Sequence, residues 1–157
     1  MSNLNLNDFI DYLKPFLKLN GIDLENHPKV NLLIESMRSS ANTFAEVASN
    51  LICYYQDIST YNNKAIEKFI GNSTEILDDL KNILANLETW TESSLDNVLV
   101  EYRNKKELSV PKVNQPIRIA LTGSTNSPSL GMTMFLFKKD EVINRIDNLI
   151  KFVETGN

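Results

Sequence analysis

Apolar residues recur three and four positions apart along nearly the whole chain, and no stretch alternates in the manner of a β-strand. Glycine and proline, at five residues each in 157, are too scarce to interrupt this pattern often. The periodicity therefore predicts an all-α protein.

The first 60 residues predict three helices, which begin near Asn7, Pro28 and Thr43. Pro15 falls inside the first helix and should kink or shorten it, because proline lacks the N–H that the helix uses. The third helix opens on a Thr43-to-Glu46 capping box, in which each side chain bonds the other residue's backbone N–H.

A polar, non-periodic stretch at 56–63 separates this part from a second run of apolar periodicity. That run predicts six helices, at 64–70, 74–87, 91–102, 116–121, 130–137 and 140–153. We therefore expect two small helical subdomains, at 1–60 and 61–157. A truncation, if present, affects the N-terminus of the first subdomain.

The composition excludes several kinds of site. Cys53 is the only cysteine and His27 the only histidine, so the chain has neither an internal disulfide nor a structural zinc site built on these residues. No Ser or Cys nucleophile can be placed beside His27 to form a catalytic pair. We expect no catalytic residue, no cofactor and no metal in this chain.

The start of the chain has neither the basic residues nor the apolar stretch of a signal peptide. Its apolar runs are far shorter than the roughly 20 residues that cross a bilayer. We expect a monomeric, cytoplasmic protein that makes no contact with a membrane.

Charge is distributed unevenly along the chain, although the net charge is −4. Residues 1–60 carry seven acids against four bases, whereas residues 111–157 carry six bases against four acids. Only the last third of the sequence therefore favours an anionic partner.

The loop from Thr122 to Ser127 gathers hydroxyl groups and Asn126 between two short predicted helices, and Arg118 lies one turn upstream. It is not a P-loop, because the Gly-Lys-Thr ending is missing and no strand precedes it. Two interpretations remain. The loop is an ordinary helix-to-helix turn, or it is a polar platform on which Arg118 grips a phosphate or a base edge.

One long motif resembles a known family. The chain contains VNQPIRIALTG at 113–123 and SPSL at 127–130, which resemble the V-x-Q-P-L-R-x-A-L-T-G…P signature near the C-terminus of bacterial glutamyl-tRNA synthetases. Similar segments lie at 33–44, at Lys64-Ala65, at Trp90-Thr91 and at 138–146. The resemblance covers nearly the whole chain and maps to the family's anticodon-binding region.

The resemblance implies a function in recognition. The partner would be the anticodon stem-loop of glutamate tRNA, and the catalytic domain would belong to the same full-length polypeptide. The class I motifs, His-x-Gly-His and a Lys-Met-Ser-Lys-Ser-like loop, do not occur here. The resemblance thus implies that ATP and magnesium serve the parent ligase and that this chain alone does not aminoacylate tRNA.

The family's base-contacting positions fall on Arg118, Ser127 and Leu130, with Pro128 shaping the same loop. By this resemblance, Arg118 would bond a base edge or phosphate, Ser127 would bond a base edge, and Leu130 would pack against a base. Single-stranded RNA loops are read in this way, with unstacked bases splayed onto side chains.

The chain departs from the family at the end of its second predicted helix. Many glutamate-specific members carry Met-Arg-x-Arg there, and their second arginine contacts the third anticodon base. Here Arg38 matches the first arginine, but Ser40 stands at the second position. Because a serine lacks the long bidentate donor, we hypothesise relaxed discrimination, so that tRNA-Gln is accepted beside tRNA-Glu.

One alternative belongs to a different functional class. The chain would then be a helical protein-interaction module without an RNA role, in which the 113–130 segment is only a turn. Salt dependence of RNA binding separates the two, because phosphate contacts weaken steeply as salt rises.

Overall fold

In the computed structural model, which describes residues 3–156, every regular element is helical. The prediction of an all-α protein is confirmed. The chain divides into two compact units, Met1–Asp57 and Ile58–Asn157. The predicted boundary lay after residue 60. Each unit buries its own set of apolar side chains.

The first unit consists of α1 (Leu6–Leu19), a short 3-10 turn (Leu24–Asn26), α2 (Val30–Arg38) and α3 (Phe44–Tyr55). Both α1 and α2 pack on α3. Their buried residues recur at helical spacing, which places them on one face of each helix. These core residues are Phe9, Leu13, Leu17, Leu33, Ile34, Met37, Val47, Ala48 and Leu51.

The helix starts in this unit differ in detail from the predicted ones. Helix α1 begins earlier, because the Asn5 side chain accepts a hydrogen bond from the Asp8 N–H at 2.9 Å and acts as the cap. Pro15 lies inside α1 without ending it. Its missing N–H leaves only the carbonyl of Asp11 without a helical donor, and Asp11 is exposed to water.

One of the two hydrogen bonds of the predicted α3 capping box is present, and the other is shifted by one residue. Thr43 Oγ1 accepts the Glu46 N–H at 3.1 Å, as expected. The Glu46 carboxylate accepts from the N–H of Asn42 at 2.8 Å, so it caps the residue before the one that the pattern indicates.

The second unit contains the other six helices of the described residues. They are α4 (Asn63–Phe69), α5 (Glu75–Ala85), α6 (Glu92–Lys106), α7 (Val110–Thr122), α8 (Leu130–Leu136) and α9 (Lys139–Thr155). Helix α7 packs against all five of the others, and α5 packs on α9 as α6 does on α8. The helix that carries the sequence motif is therefore the centre of this unit.

Helices α6 and α7 extend well beyond their predicted bounds. Helix α7 starts at Val110, because Pro111 stands in its first turn, where the backbone N–H has no helical acceptor. Helix α6 runs on through Arg103 to Lys106, since Arg and Lys are good helix formers. It ends at Glu107, which adopts the left-handed conformation with φ 54°.

Candidate nucleic-acid interface

The end of α7 is fixed by a glycine that no other residue replaces without strain. Gly123 has φ +81° and its N–H donates to the Ile119 carbonyl at 2.8 Å. Its own carbonyl accepts from the Asn62 N–H at 3.0 Å. A Cβ at this position would lie 3.1 Å from the Thr60 carbonyl oxygen. The turn therefore needs both the left-handed backbone and the absence of a side chain.

A buried arginine ties the same turn to α9. Arg145 is 6% exposed. Its Nη1 donates to the Leu121 carbonyl at 2.7 Å, while its Nε pairs with Glu141 Oε1 at 2.7 Å. Its guanidinium also lies 4.6 Å from the ring centre of Phe137. The cation thus satisfies a carbonyl in the last turn of α7, where positive charge is favoured.

Arg145 also affects a neighbouring phenol. Burial raises the pKa of Tyr61, and the positive charge of Arg145 acts against this rise. Arg145 was not among the residues predicted to matter for the site. Its spacing of four residues from Glu141 was the available signal, because such pairs meet on a helix surface.

The loop after Gly123 is ordered by its own hydroxyl groups. Thr122 Oγ1 lies 2.8 Å from the Arg118 carbonyl oxygen and accepts the Ser124 N–H at 3.3 Å. Ser124 Oγ in turn accepts the N–H of Asn126 at 3.4 Å. The polar residues that stood out in the sequence thus build a defined turn with Asn126 exposed at its tip.

Arg118 and Ser127, two of the predicted site residues, contact each other. Arg118 Nε donates to Ser127 Oγ at 2.6 Å, and Arg118 Nη1 donates to Gln115 Oε1 at 3.1 Å. Ser127 Oγ donates to the Pro128 carbonyl at 2.8 Å. All four side chains are half-buried. A guanidinium group is therefore held in place at the surface by a neutral hydroxyl and a neutral amide.

Gln115 belongs to this site, although sequence reasoning gave it no role of its own. It stands three residues before Arg118 on α7, a spacing that brings helical side chains together. Its place in the family motif was the only earlier signal.

Leu130 is the first residue of α8, directly after the loop. It is 2% exposed, so its side chain is part of the core. Thr133, which is fully buried, bonds the Ser129 carbonyl at 3.0 Å and so joins the loop to α8. Thr133 thus ties the loop to α8, whereas Arg118, Ser127 and Pro128 have surface accessible to a partner.

Arg38 and Ser40 belong to the first unit, at the end of α2. Arg38 donates from Nη2 to the Leu4 carbonyl, lies 3.2 Å from Glu35 Oε1 and stands over the Phe9 ring. Its side chain is 12% exposed. Ser40 is exposed, and its Oγ lies 3.2 Å from the Met37 carbonyl.

The described residues contain neither a metal-binding cluster of side chains nor a membrane-spanning helix. In the range 3–156, no group of three or more His, Cys, Asp or Glu side chains is gathered closely enough to hold a metal ion. Among the helices of that range, none has the length and apolar character needed to cross a membrane.

These features define the class of the protein: an all-helical module with a cationic, hydroxyl-rich site at the turn between α7 and α8. A sequence family described as "Anticodon binding domain" matches residues 8–150. The chain belongs to this family.

Similar proteins carry one consistent name. The glutamate–tRNA ligase of Myxococcus xanthus is 33% identical over 149 residues, which cover 94% of this chain and 31% of the relative. Glutamate–tRNA ligase 2 of Coxiella burnetii is 32% identical over 137 residues, 87% of this chain and 29% of the relative. The resemblance to glutamyl-tRNA synthetases is confirmed, and the chain spans about 30% of the length of these relatives.

A solved structure has the same fold. The crystal structure of a glutamate tRNA ligase from Elizabethkingia meningosepticum, in complex with its amino acid, matches with a TM-score of 0.78 at 19% identity. The match covers 94% of this chain and 29% of that one.

Proposed function

We propose that this chain binds the anticodon stem-loop of glutamate tRNA and acts as the anticodon-binding module of a glutamate–tRNA ligase. The observation that carries the proposal is the surface arginine, Arg118, held by Ser127 and Gln115 in a chain of the anticodon-binding family. A catalytic domain of the same polypeptide would use ATP and magnesium. The module would work as a monomer in the cytoplasm.

The α7–α8 loop would receive unstacked bases of the anticodon. The planar guanidinium of Arg118 matches a phosphate or a base edge, and the Ser127 hydroxyl both donates and accepts. Pro128 offers a rigid apolar surface beside them. A base that stacks on such a site contributes about 1–3 kcal/mol. Leu130 would act from the core, by setting the position of the loop.

The module would couple recognition to catalysis by position alone. A packed helical unit with α7 at its centre holds the loop rigidly. A correct anticodon would therefore dock the tRNA in one orientation and bring its acceptor end to the distant active site. Orientation of this kind lowers a reaction barrier without any chemical group from the binding module.

We further propose that discrimination between glutamate and glutamine tRNA is relaxed. Ser40 follows the end of α2 and its short hydroxyl bonds back to the helix, and Arg38 is held by Leu4 and Glu35. Arg38 would thus fix the residues around Leu4 against α2, and only the small exposed part of its guanidinium would reach the third anticodon base. Neither residue offers the long exposed donor that glutamate-specific members of the family carry at the position of Ser40.

Titration of a labelled glutamate anticodon stem-loop at two ionic strengths tests the main proposal. Arg118→Ala should weaken binding by roughly 1–3 kcal/mol and leave the thermal midpoint of unfolding nearly unchanged. Lys151→Ala removes an exposed positive charge from α9 and serves as the matched control. If the wild-type chain does not bind, or binds without salt dependence, the protein-interaction alternative replaces this proposal.

The two stem-loops, with glutamate and glutamine anticodons, test relaxed discrimination. We expect affinities within tenfold of each other, and a stronger preference for glutamate in Ser40→Arg. A wild-type preference of a hundredfold or more, on the order of 2.7 kcal/mol, would reject this part of the proposal.

A further inference from the structure

A second arginine approaches the face of α7 from the neighbouring helix. Arg103, in the last turns of α6, donates from Nη1 to Asn114 Oδ1 at 3.0 Å. It is half-buried. In the part of the chain that the structure describes, Arg103 forms no ion pair.

Arg103 and Arg118 are held along the same helix. Asn114 and Arg118 are four residues apart, so they lie on one face of α7 about 6 Å apart along its axis. Gln115 holds the Arg118 guanidinium, as Asn114 holds that of Arg103. The polar face of α7 therefore positions two guanidinium groups, and a side-chain amide oxygen of α7 accepts a hydrogen bond from each of them.

An amide and a carboxylate have different effects on a cation. Both orient a guanidinium by a hydrogen bond, but only a carboxylate neutralises its charge. The buried Arg145 pairs with Glu141, as expected of a structural cation. Arg103 keeps its full positive charge while its position is fixed, which is the arrangement that an external anion requires.

The surroundings of Arg103 strengthen this charge. Residues 103–112 contain four basic side chains and one acidic one. Lys106 is partly compensated, because it lies 3.9 Å from Asp79 Oδ2. Lys105 and Lys112 are exposed. The junction of α6 and α7 is therefore a cationic region on a chain whose net charge is −4.

We propose that Arg103 binds a backbone phosphate of the same RNA whose bases Arg118 and Ser127 receive. This inference rests on the proposed function. The contact would be sequence-independent and would set the register of the strand along α7, as phosphate contacts do in general. Asn114 would be the positioning residue that aims the guanidinium.

Binding of the glutamate anticodon stem-loop by the whole chain, measured over a range of salt concentrations, tests this inference. Arg103→Gln should reduce the slope of log K against log salt by about 0.7, the value for one phosphate of a single strand. Its affinity should fall by the same factor for the glutamate and the glutamine stem-loop. Arg103→Lys keeps the charge and should keep the slope.

A second substitution separates charge from structure. Asn114→Asp retains the shape and the acceptor that hold Arg103. Its carboxylate would form an ion pair with the guanidinium and offset the positive charge. We expect this variant to lose binding and slope as Arg103→Gln does, with an unchanged thermal midpoint. Lys151→Gln, which removes a charge on α9, should leave the slope unaltered.

The outcomes distinguish the two proposals. If the wild-type chain fails to bind the stem-loop, the proposed function and this inference are both overturned. If the wild type binds and depends on Arg118, but Arg103→Gln leaves the slope unchanged, only the phosphate contact is rejected. Loss of folding in Arg103→Gln with full salt dependence in Asn114→Asp would make Arg103 a structural residue.

Discussion

Replacement of Arg145 by methionine would test how the candidate loop is held. Methionine keeps an apolar stem of similar length but removes the guanidinium. The Leu121 carbonyl in the last turn of α7 would lose the donor that lies 2.7 Å away, and the Phe137 ring would lose the cation above it. We therefore expect the α7–α8 turn, and with it the second unit, to become less stable.

The size of the effect follows from these contacts. A hydrogen bond to a charged group contributes about 1.5–3 kcal/mol, and a partly desolvated cation–π contact about 0.5–2 kcal/mol. The pair with Glu141 adds at most about 1 kcal/mol, because that carboxylate is 37% exposed. Methionine also removes the cost of burying a charge. The expected loss in free energy of unfolding is about 2–4 kcal/mol.

Tryptophan fluorescence provides the assay. Trp90 is the only tryptophan of the chain, and its Nε1 donates to the carbonyl of Phe137 at 3.2 Å. Its emission therefore reports on the part of the fold that Arg145 supports. Urea unfolding should show the loss in Arg145→Met and less than about 1 kcal/mol in Glu141→Gln. A loss below about 1 kcal/mol in Arg145→Met would refute the reasoning.

Two further predictions concern stability. Gly123→Ala should lower the free energy of unfolding more than Gly71→Ala does. Both substitutions place alanine in a left-handed conformation, at about 1–2 kcal/mol, but only the alanine at 123 contacts the Thr60 carbonyl. Equal losses in urea unfolding would show that this contact has no effect on stability. Burial, aided by nearby acidic charges, raises the pKa of Tyr55 to about 12. The folded state thus favours its neutral phenol, and the resulting stability is complete below pH 10 and lost as pH rises toward 12. In circular dichroism, Tyr55→Phe should flatten this alkaline loss, and an unchanged pH profile would contradict it.

Local features of the sequence were sufficient to predict the helical class. Apolar periodicity located the helices, and the hydroxyl-rich loop after Arg118 was recognised from the sequence, but the bond between Arg118 and Ser127 was not predicted. The start of α7 was not predicted, because the apolar pattern was read from Pro116 onward and the fit of Pro111 to a first helical turn was not used. The predicted end of α6 at residue 102 was too early, because the basic residues that follow it continue the helix to Lys106.

The long-range contacts of these residues could not be predicted from the sequence. Arg103 and Asn114, like Arg145 and Leu121, meet only because two helices pack together. Such contacts join residues distant in sequence, and neither periodicity nor a local motif contains that information. The burial of Leu130 is of the same kind, since a helix start can face either a partner or the core.

We propose above that the loop between α7 and α8 receives the anticodon. The most direct test of this claim is an NMR titration of the ¹⁵N-labelled chain with the glutamate anticodon stem-loop, followed through backbone amides and the Arg118 Nε–H group. The expected result is a saturable set of shifts centred on residues 115–130, including Arg118 Nε–H as its bond to Ser127 is exchanged for RNA. Shifts confined to other parts of the chain, with Arg118 Nε–H unmoved at saturation, would contradict the claim.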